Sequence, residues 1–372
     1  MEKKEEMKKR SYILVILILI FVIFGFGQRF AKADEANFSV MPILPKDTQV
    51  GYFDLVMNPG AQEKVSFQLS NNTNKEITIN TSFGTAFTGS TGTVGYSPDT
   101  VKPDSSLKYN IEKYVSLPQE TKVSAHSSVV VSAMVSMPKA NFTGQIAGGF
   151  NFKEKISDHK EVSNSKGMII KNEYRYVVGL ILQQNRKKVA PTLDLSNVFP
   201  SQRNDRNVIS AHLTNSAMAY LMDMNAHVDV SGVTDPSIKY KYQDAAMKMA
   251  PNSSFDLAIP ISVMGAIDGQ HSTPLKPGKY HLSMTVFGQQ NEAGKYDTQV
   301  NGKVVKYLYQ WKFEKDFTVS EERAKILNAK DVTVKHSTDI NWIMIVGVII
   351  IVLLIIIILI LFFRKNKEIR ND

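Results

Sequence analysis

Apolar and polar residues alternate along most of the chain between residues 38 and 320. Val65, Phe67 and Leu69 alternate with polar residues, and the same pattern recurs at 77–80, 129–135, 222–230, 255–261, 280–286 and 307–313. A period of two is typical of strands with one buried face. Turn residues separate the runs, as at 58–60 and 276–278. Because few segments have a helical period, the pattern predicts an all-β protein.

Local features refine this prediction. The polar cluster 71–75, between the strands at 65–70 and 77–80, predicts a hairpin with one buried face. Gly148 and Gly149 inside the strand at 145–152 predict a bulge or close packing. Ser320, followed by two acidic residues, predicts a short helix that ends near Ala329.

The domain organisation follows from a charged linker at 186–191, which ends in a proline. We predict two Ig-like β-sandwich domains in tandem, at 34–186 and 187–320, with the core of the first at about 38–158. The strand at 174–182 could close the first sandwich or open the second, so the second could begin near residue 168. A short helix and a polar stalk are expected at 321–341.

The N-terminus carries a targeting signal. A basic stretch is followed by apolar residues at 13–26 and by Ala31, Lys32 and Ala33. This order is typical of a secretory signal peptide, predicted here at 1–33. The apolar stretch spans about 21 Å as a helix, short of a hydrocarbon core of about 30 Å. An uncleaved signal anchor is the alternative.

The C-terminus differs in length and flanks. Residues 343–363 are apolar apart from Gly347, and as a helix they would span about 31 Å. Trp342 precedes them, and Arg364, Lys365 and Lys367 follow. The positive-inside rule places these cations in the cytoplasm. We predict a transmembrane helix at 342–363, a cytoplasmic tail at 364–372, and a single-pass type I protein of the cell membrane whose exported region lies in the cell-wall zone.

Composition narrows the class of protein. The absence of cysteine excludes disulfides, a zinc ribbon and a Cys nucleophile, and in an exported chain it favours a bacterial surface. The net charge of +9 is concentrated partly in the two termini, so no nucleic-acid partner is expected. The seven histidines have no ligand spacing, and we expect neither a metal nor a cofactor.

Catalytic motifs are weak. Ser105 with Lys108, and Ser163 with Lys166, match Ser-x-x-Lys, but no Lys-Thr-Gly follows. The glycine-rich run 84–95 lacks the Gly-Lys-Ser/Thr of a phosphate-binding loop and predicts a flexible hairpin loop. We therefore expect a non-enzymatic binding protein without catalytic residues. A cell-wall hydrolase or transpeptidase and a chaperone-like assistant for exported proteins are the alternatives.

Candidate binding residues are few. Those that the sequence offers are Tyr52, Asp54, Asn58, Tyr240 and Tyr242. Tyrosines beside lysines are typical of contact surfaces. The tyrosines at 307 and 309, with Trp311, admit a core interpretation as well.

A set of short motifs, in their order, resembles the WxL-interacting proteins. They stand at 38–45, 51–60, 144–149, 174–179, 190–191, 249–253 and 275–280, with Trp311 and Phe313. The resemblance implies a surface protein of low-GC Gram-positive bacteria. It implies a first module that binds peptidoglycan, a second that binds host extracellular proteins, and association with WxL-domain surface proteins. It supplies no established binding residues.

Overall fold

The computed structural model of the chain describes residues 36–46, 50–97, 102–155, 173–264, 271–335 and 349–359. They form two compact units. Of the described residues, the first unit comprises those up to Ala86, those within Tyr96–Pro103 and those within Lys108–Val189. The second comprises Phe87–Gly95, Asp104–Leu107 and the described residues from Ala190 onward. Because most described residues are in strands, the all-β prediction is confirmed.

The strands of the first half of the described chain are short and connected by turns. In order they are β1 (Phe38–Ile43), β2 (Phe53–Val56), β3 (Gln62–Asn71), β4 (Ile77–Thr85), β5 (Phe87–Thr88), β6 (Val94–Gly95), β7 (Val115–Ser116), β8 (Glu120–Val123), β9 (Ser128–Ser136), β10 (Ile146–Glu154) and β11 (Arg175–Gln183). A 3₁₀ helix at Ile111–Tyr114 begins after Asn110, whose side chain accepts a hydrogen bond from the Glu112 amide.

The first unit is a sandwich of two sheets. One has the strand order β1-β3-β9-β7 and the other β2-β11-β10-β4-β8. The pairs are antiparallel except for β2 and β11, which run parallel with Phe53 opposite Leu180. The strand at 174–182, left open by the sequence, therefore closes the first unit.

Phenylalanine rings from both sheets form the core of the first unit. The ring of Phe67 on β3 lies 4.7 Å from that of Phe150 and 4.9 Å from that of Phe152, both on β10. Phe53 and Phe83 extend the cluster, with centroid distances of 5.4 Å to Phe67 and 4.8 Å to Phe150. Edge-to-face contacts of this kind add to the free energy of apolar burial.

The close packing predicted at the glycine pair is confirmed. A Cβ atom on Gly148 would lie 2.6 Å from Cζ of Phe83, and one on Gly149 would lie 2.7 Å from Cβ of Tyr96. Only glycine leaves room for these rings against β10.

The hairpin predicted at 65–80 is wrong, because β3 and β4 lie in different sheets. The polar cluster 71–75 carries the chain from one sheet to the other. Asn71, which is 3% exposed, holds this crossing by donating to the carbonyls of Lys75 at 2.8 Å and Val123 at 3.0 Å. Alternating burial has the same appearance in a hairpin and in a crossing, since each strand has one face in the core.

The second unit contains the remaining strands. They are β12 (Asp194–Arg203), β13 (Arg206–Asn215), β14 (Leu221–Gly232), β15 (Lys239–Met249), β16 (Ser253–Pro260), β17 (Gly278–Gln290), β18 (Tyr296–Val300) and β19 (Lys303–Val319). One sheet has the order β12-β13-β16 and the other β15-β14-β17-β19-β18. Buried apolar residues from both sheets form one core, among them Leu213, Ile259, Val228 and Leu282.

The short helix predicted after Ser320 is confirmed as α1 (Glu321–Lys330). The Ser320 hydroxyl accepts a hydrogen bond from the Arg323 amide at 3.1 Å, as an N-cap residue does. Ala324 and Leu327 on α1 are buried in the core of the second unit.

Asp331 follows the helix and is fully buried. Its carboxylate accepts hydrogen bonds from the Asn207 amide at 2.7 Å, the Ser262 hydroxyl at 2.6 Å and the Thr333 amide at 2.8 Å. Burial by itself would raise the pKa of Asp331, but these hydrogen bonds bring it below the ordinary 3.8. Thr333 and Val334 are buried too, so this part of the expected stalk is packed.

The predicted terminal segments are described only in part. The signal peptide at 1–33 and the tail at 364–372 lie outside the described residues. Of the predicted membrane segment, 349–359 is described, and it is helical. Among the described ranges, no helix combines the length and apolar character needed to cross a bilayer.

We predict that Asp331→Asn lowers the free energy of unfolding of the second unit by about 1–3 kcal/mol at neutral pH, because an amide leaves buried donors without acceptors. The carboxylate's contribution is present above pH 3.8 and is lost as the pH falls through the lowered pKa, so the difference from wild type should shrink there. Urea unfolding of the full chain measures this. The exposed Asp297→Asn is the control, and equal curves for both variants would contradict the prediction.

Candidate functional site

A polar groove lies in the first unit. Pro59, Asn141, Phe142, Thr143, Gln184 and Asn185 line a cavity of about 500 Å³. The lining residues come from the turn after β2, the connection between β9 and β10, and the end of β11. Because β2 and β11 run parallel, their carboxyl ends meet at one edge, where the Met57 amide donates to the Gln183 carbonyl at 3.0 Å.

The turn predicted at 58–60 is confirmed, and it lies beside the groove. The Ala61 amide donates to the Asn58 carbonyl at 3.0 Å, and Gly60 has a φ of 76°. Proline followed by a glycine with positive φ is typical of a type II turn. The Gly60 amide donates to the Met137 carbonyl at 3.2 Å, so this turn is fixed against the end of β9.

Gln184 holds the opposite wall. Its Oε1 atom accepts from the Phe142 amide at 2.9 Å, and its Nε2 atom donates to the carbonyls of Pro138 at 3.1 Å and Ala140 at 2.9 Å. The side-chain amide of Gln184 thus makes two hydrogen bonds as donor and one as acceptor. Together they order the loop that precedes β10. The Phe142 ring also contacts Tyr109, with centroids 5.2 Å apart.

The remaining polar groups of the groove are open to a ligand. The side chains of Asn141 and Thr143 are exposed and form no hydrogen bond within the described residues. None of the six lining residues is charged. An amide and a hydroxyl beside an aromatic ring can bind a neutral ligand that carries both polar and apolar surfaces.

The first three candidate residues lie near this edge but do not line the cavity. The Asp54 carboxylate accepts a hydrogen bond from Gln183 Nε2 at 2.8 Å and forms an ion pair with Arg186. Tyr52 packs at Gly179, where an added Cβ would lie 3.5 Å from the tyrosine Cβ. Asn58 is exposed and precedes Pro59. Sequence reasoning missed the residues at 141–143 and 184–185. Their one signal was the amide side chains of Asn141, Gln184 and Asn185 in two separate segments.

The other two candidates, Tyr240 and Tyr242, pack against the core of the second unit. Both lie on the edge strand β15, opposite Val230 and Val228. Burial raises the pKa of both hydroxyls, and the carboxylate of Asp244, which accepts from Tyr242 at 2.8 Å, raises that of Tyr242 further. Their rings are partly covered, so they do not form an open contact face.

Some aromatic residues of β19 lie in the core and others are partly exposed, so neither the core nor the contact-surface interpretation holds for all of them. Tyr307 is 3% exposed and belongs to the interior. Tyr309 and Trp311 stack with centroids 5.8 Å apart and are partly exposed, while Trp311 also packs against the core.

A charged cluster lies on the outer face of the larger sheet of the second unit. His281 on β17 approaches Asp316 at 2.6 Å through Nδ1 and Glu314 at 2.8 Å through Nε2. Glu314 also accepts from Ser283 at 2.9 Å. The hydrogen bonds to these two carboxylates raise the pKa of His281 above 6.5, and Asp316 has the larger effect. Among the ranges that the structure describes, no group of three or more His, Cys, Asp or Glu could hold a metal ion.

Of the two serines considered as nucleophiles, one lies within the described residues. Ser105 is exposed, and no side chain of the described residues donates to or accepts from its hydroxyl. Ser163 lies outside the described residues.

Family comparison identifies both halves as binding modules. The model described as "WxL Interacting Protein, peptidoglycan binding domain" matches residues 38–154, and "WxL Interacting Protein, host binding domain" matches 165–329. The chain belongs to the WxL-interacting protein family, and the resemblance inferred from its motifs is confirmed. The second match begins before β11, although β11 pairs within the first unit.

The solved structures with some likeness to the chain have low sequence identity. The class 5 fimbriae chaperone CfaA is 14% identical, with 75% of this chain and 99% of that chain covered and a TM-score of 0.28. The CupB2 chaperone of Pseudomonas aeruginosa is 12% identical, with 73% and 99% covered and a TM-score of 0.27. Likenesses of this size carry no argument about function. No curated protein matches the chain significantly.

We predict that Gln184→Ala increases hydrogen exchange at the Phe142 amide several-fold, since the lost bond contributes about 1 kcal/mol to local order. Hydrogen exchange of the full chain measures this. Asn185→Ala, at the adjacent position of the groove, should leave the Phe142 amide unchanged. Equal exchange in the two variants would show that Gln184 does not order the loop.

We predict opposite titration shifts for two histidines of the second unit. His281 should titrate above pH 6.5 because of its carboxylate partners, and His227 below it because of burial. The raised value means that the His281 contacts stabilise the fold at low pH and are lost as the pH rises through it. NMR titration of the full chain measures both midpoints. Asp316→Asn should lower the His281 midpoint, and an unchanged midpoint would contradict the assignment.

Proposed function

We propose that the protein is a non-enzymatic scaffold of a Gram-positive cell surface. In this proposal the first module holds cell-wall peptidoglycan, and the second binds WxL-domain surface proteins or host extracellular proteins. The two family matches support the assignment of a different ligand to each module. The uncharged, amide-lined groove of the first unit is the observation that carries the assignment of a binding site.

The chemistry of the groove suits the glycan of peptidoglycan. Each sugar of that glycan carries an N-acetyl group, which has one hydrogen-bond donor and one acceptor. The Asn141 amide offers both complementary groups, and Thr143 adds a hydroxyl. The Phe142 ring packs against Tyr109, the Phe142 amide is fixed by Gln184, and the ring offers an apolar surface to a sugar face. A volume of about 500 Å³ lies within the usual range of ligand pockets.

Anchoring would make weak contacts sufficient. The predicted signal peptide and membrane helix would hold the exported region beside the wall, where the glycan is concentrated. Tethering converts later binding into an intramolecular event and raises the effective concentration of the ligand. A single groove of modest affinity would then keep the protein attached to the wall.

We predict that the double variant Asn141→Ala/Thr143→Val binds purified cell-wall sacculi about tenfold more weakly than wild type, since two lost hydrogen bonds are worth about 1–2 kcal/mol. Retention of the detergent-solubilised full chain on sacculi measures the Kd. Gln119→Ala, which removes an exposed amide outside the groove, is the matched control. De-N-acetylated sacculi should also be bound more weakly.

Two outcomes would contradict this proposal at different levels. Wild-type retention by the double variant would remove the groove from the proposal but leave peptidoglycan binding intact. Absence of wild-type retention on sacculi, and on immobilised WxL-domain protein, would remove the scaffold function itself.

A further inference from the structure

The second unit contains a hairpin from a distant part of the sequence. β5 and β6 pair with Phe87 opposite Gly95 and Thr88 opposite Val94. The Gly89 amide donates to the Thr93 carbonyl at 2.7 Å and closes the turn. This hairpin, Phe87–Gly95, belongs to the second unit although it lies inside the span matched to the peptidoglycan-binding model.

A single buried threonine connects the hairpin to the turn between β15 and β16. The Thr88 hydroxyl accepts a hydrogen bond from the Ala250 amide at 3.0 Å and shares another with the Ser253 hydroxyl at 2.5 Å. Thr88 is 3% exposed, Ser253 4% and Ala250 0%. Burial of these groups requires that each has a partner, because an unpaired buried donor is costly.

The tip of the hairpin fits the same surface through its backbone. The Lys248 amide donates to the Gly92 carbonyl at 2.7 Å. Gly92 has a φ of 65°, and a Cβ at this position would lie 2.7 Å from Cγ of the buried Met247. Glycine is required there by both its conformation and the lack of space.

Two side chains extend the contact on either side. Arg203 on β12 donates to the Ser90 carbonyl at 2.7 Å. The Ser254 hydroxyl donates to the Asp104 carboxylate at 2.6 Å. Asp104 belongs to Asp104–Leu107, the other short segment that packs in the second unit. Burial would raise the pKa of Asp104, but hydrogen bonds from Ser254 and Ser106 bring it below the ordinary value, so the contact favours the carboxylate.

We infer that the surface formed by Met247, Lys248, Ala250, Ser253 and Arg203 is a docking site whose ligand is the chain's own Phe87–Gly95 hairpin. The host-binding module is therefore a composite of two separated parts of the sequence. A fragment cut at the border of the family match, residue 165, would lack the ligand and leave the Ala250 amide without its Thr88 acceptor. The Ser253 hydroxyl would lose its bond to Thr88 and keep its bond to the Ala250 carbonyl at 2.8 Å. The hairpin of a second copy would fit such a site.

Hydrogen exchange of the full chain tests this inference through Thr88→Val, which keeps the shape of the side chain and removes the hydroxyl. Exchange at the Lys248 and Ala250 amides should rise about tenfold or more, while amides in the middle of β17 stay protected. Thr91→Val is the matched control, because the Thr91 hydroxyl is exposed and, among the described residues, forms a hydrogen bond only with Thr93 of the same hairpin.

Gly92→Ala supplies a second and independent variant, since it opposes docking by strain and by contact with Met247. It should increase exchange at the same two amides. Exchange at Lys248 and Ala250 that matches wild type in both Thr88→Val and Gly92→Ala would overturn the inference. A concentration-dependent dimer of Gly92→Ala or Thr88→Val would support it as exchange of the hairpin between copies.

Discussion

Burial of alternate side chains between two facing sheets is the constraint on which both units depend. In the first unit the rings of Phe67 and Phe150 meet across the sandwich, and in the second Leu213 and Val228 share one core. Each strand therefore has one face committed to stability. Functional groups are left to loops, sheet edges and outward positions, where side chains can change without loss of core packing.

The groove illustrates how such a scaffold produces a preformed site. Parallel pairing of β2 with β11 brings the turn at Pro59 beside Gln184, and Gln184 in turn orders the loop that carries Asn141. Gln184 and Asn141 both carry an amide, but the two have different roles. The Gln184 amide is hydrogen-bonded to the loop, whereas the Asn141 amide has no hydrogen bond among the described residues. A rigid wall reduces the ordering cost of binding, so a few neutral contacts would suffice for the glycan that we propose as its ligand.

The borders of the modules are not the borders of the folded units. β11 lies within the span matched as host-binding but completes the sheet of the first unit, and the Phe87–Gly95 hairpin lies within the other span but packs in the second unit. In both cases a segment packs in the unit outside its own family span because it supplies hydrogen-bond partners there. A sheet edge and a buried polar turn both require such partners. Family spans follow sequence similarity, whereas folded units follow contacts.

Local pattern was sufficient to predict the strands, the Pro59 turn and the helix that begins after Ser320, because each depends on neighbours within a few residues. Pairing of β3 and β4 was predicted wrongly, since alternation identifies a buried face but not the strand beside it. The groove was missed for a related reason: Phe142 and Gln184 are 42 positions apart, and nothing in either loop specifies the other. Only the folded chain decides which amides meet, because these long-range hydrogen bonds depend on where the core places the strands.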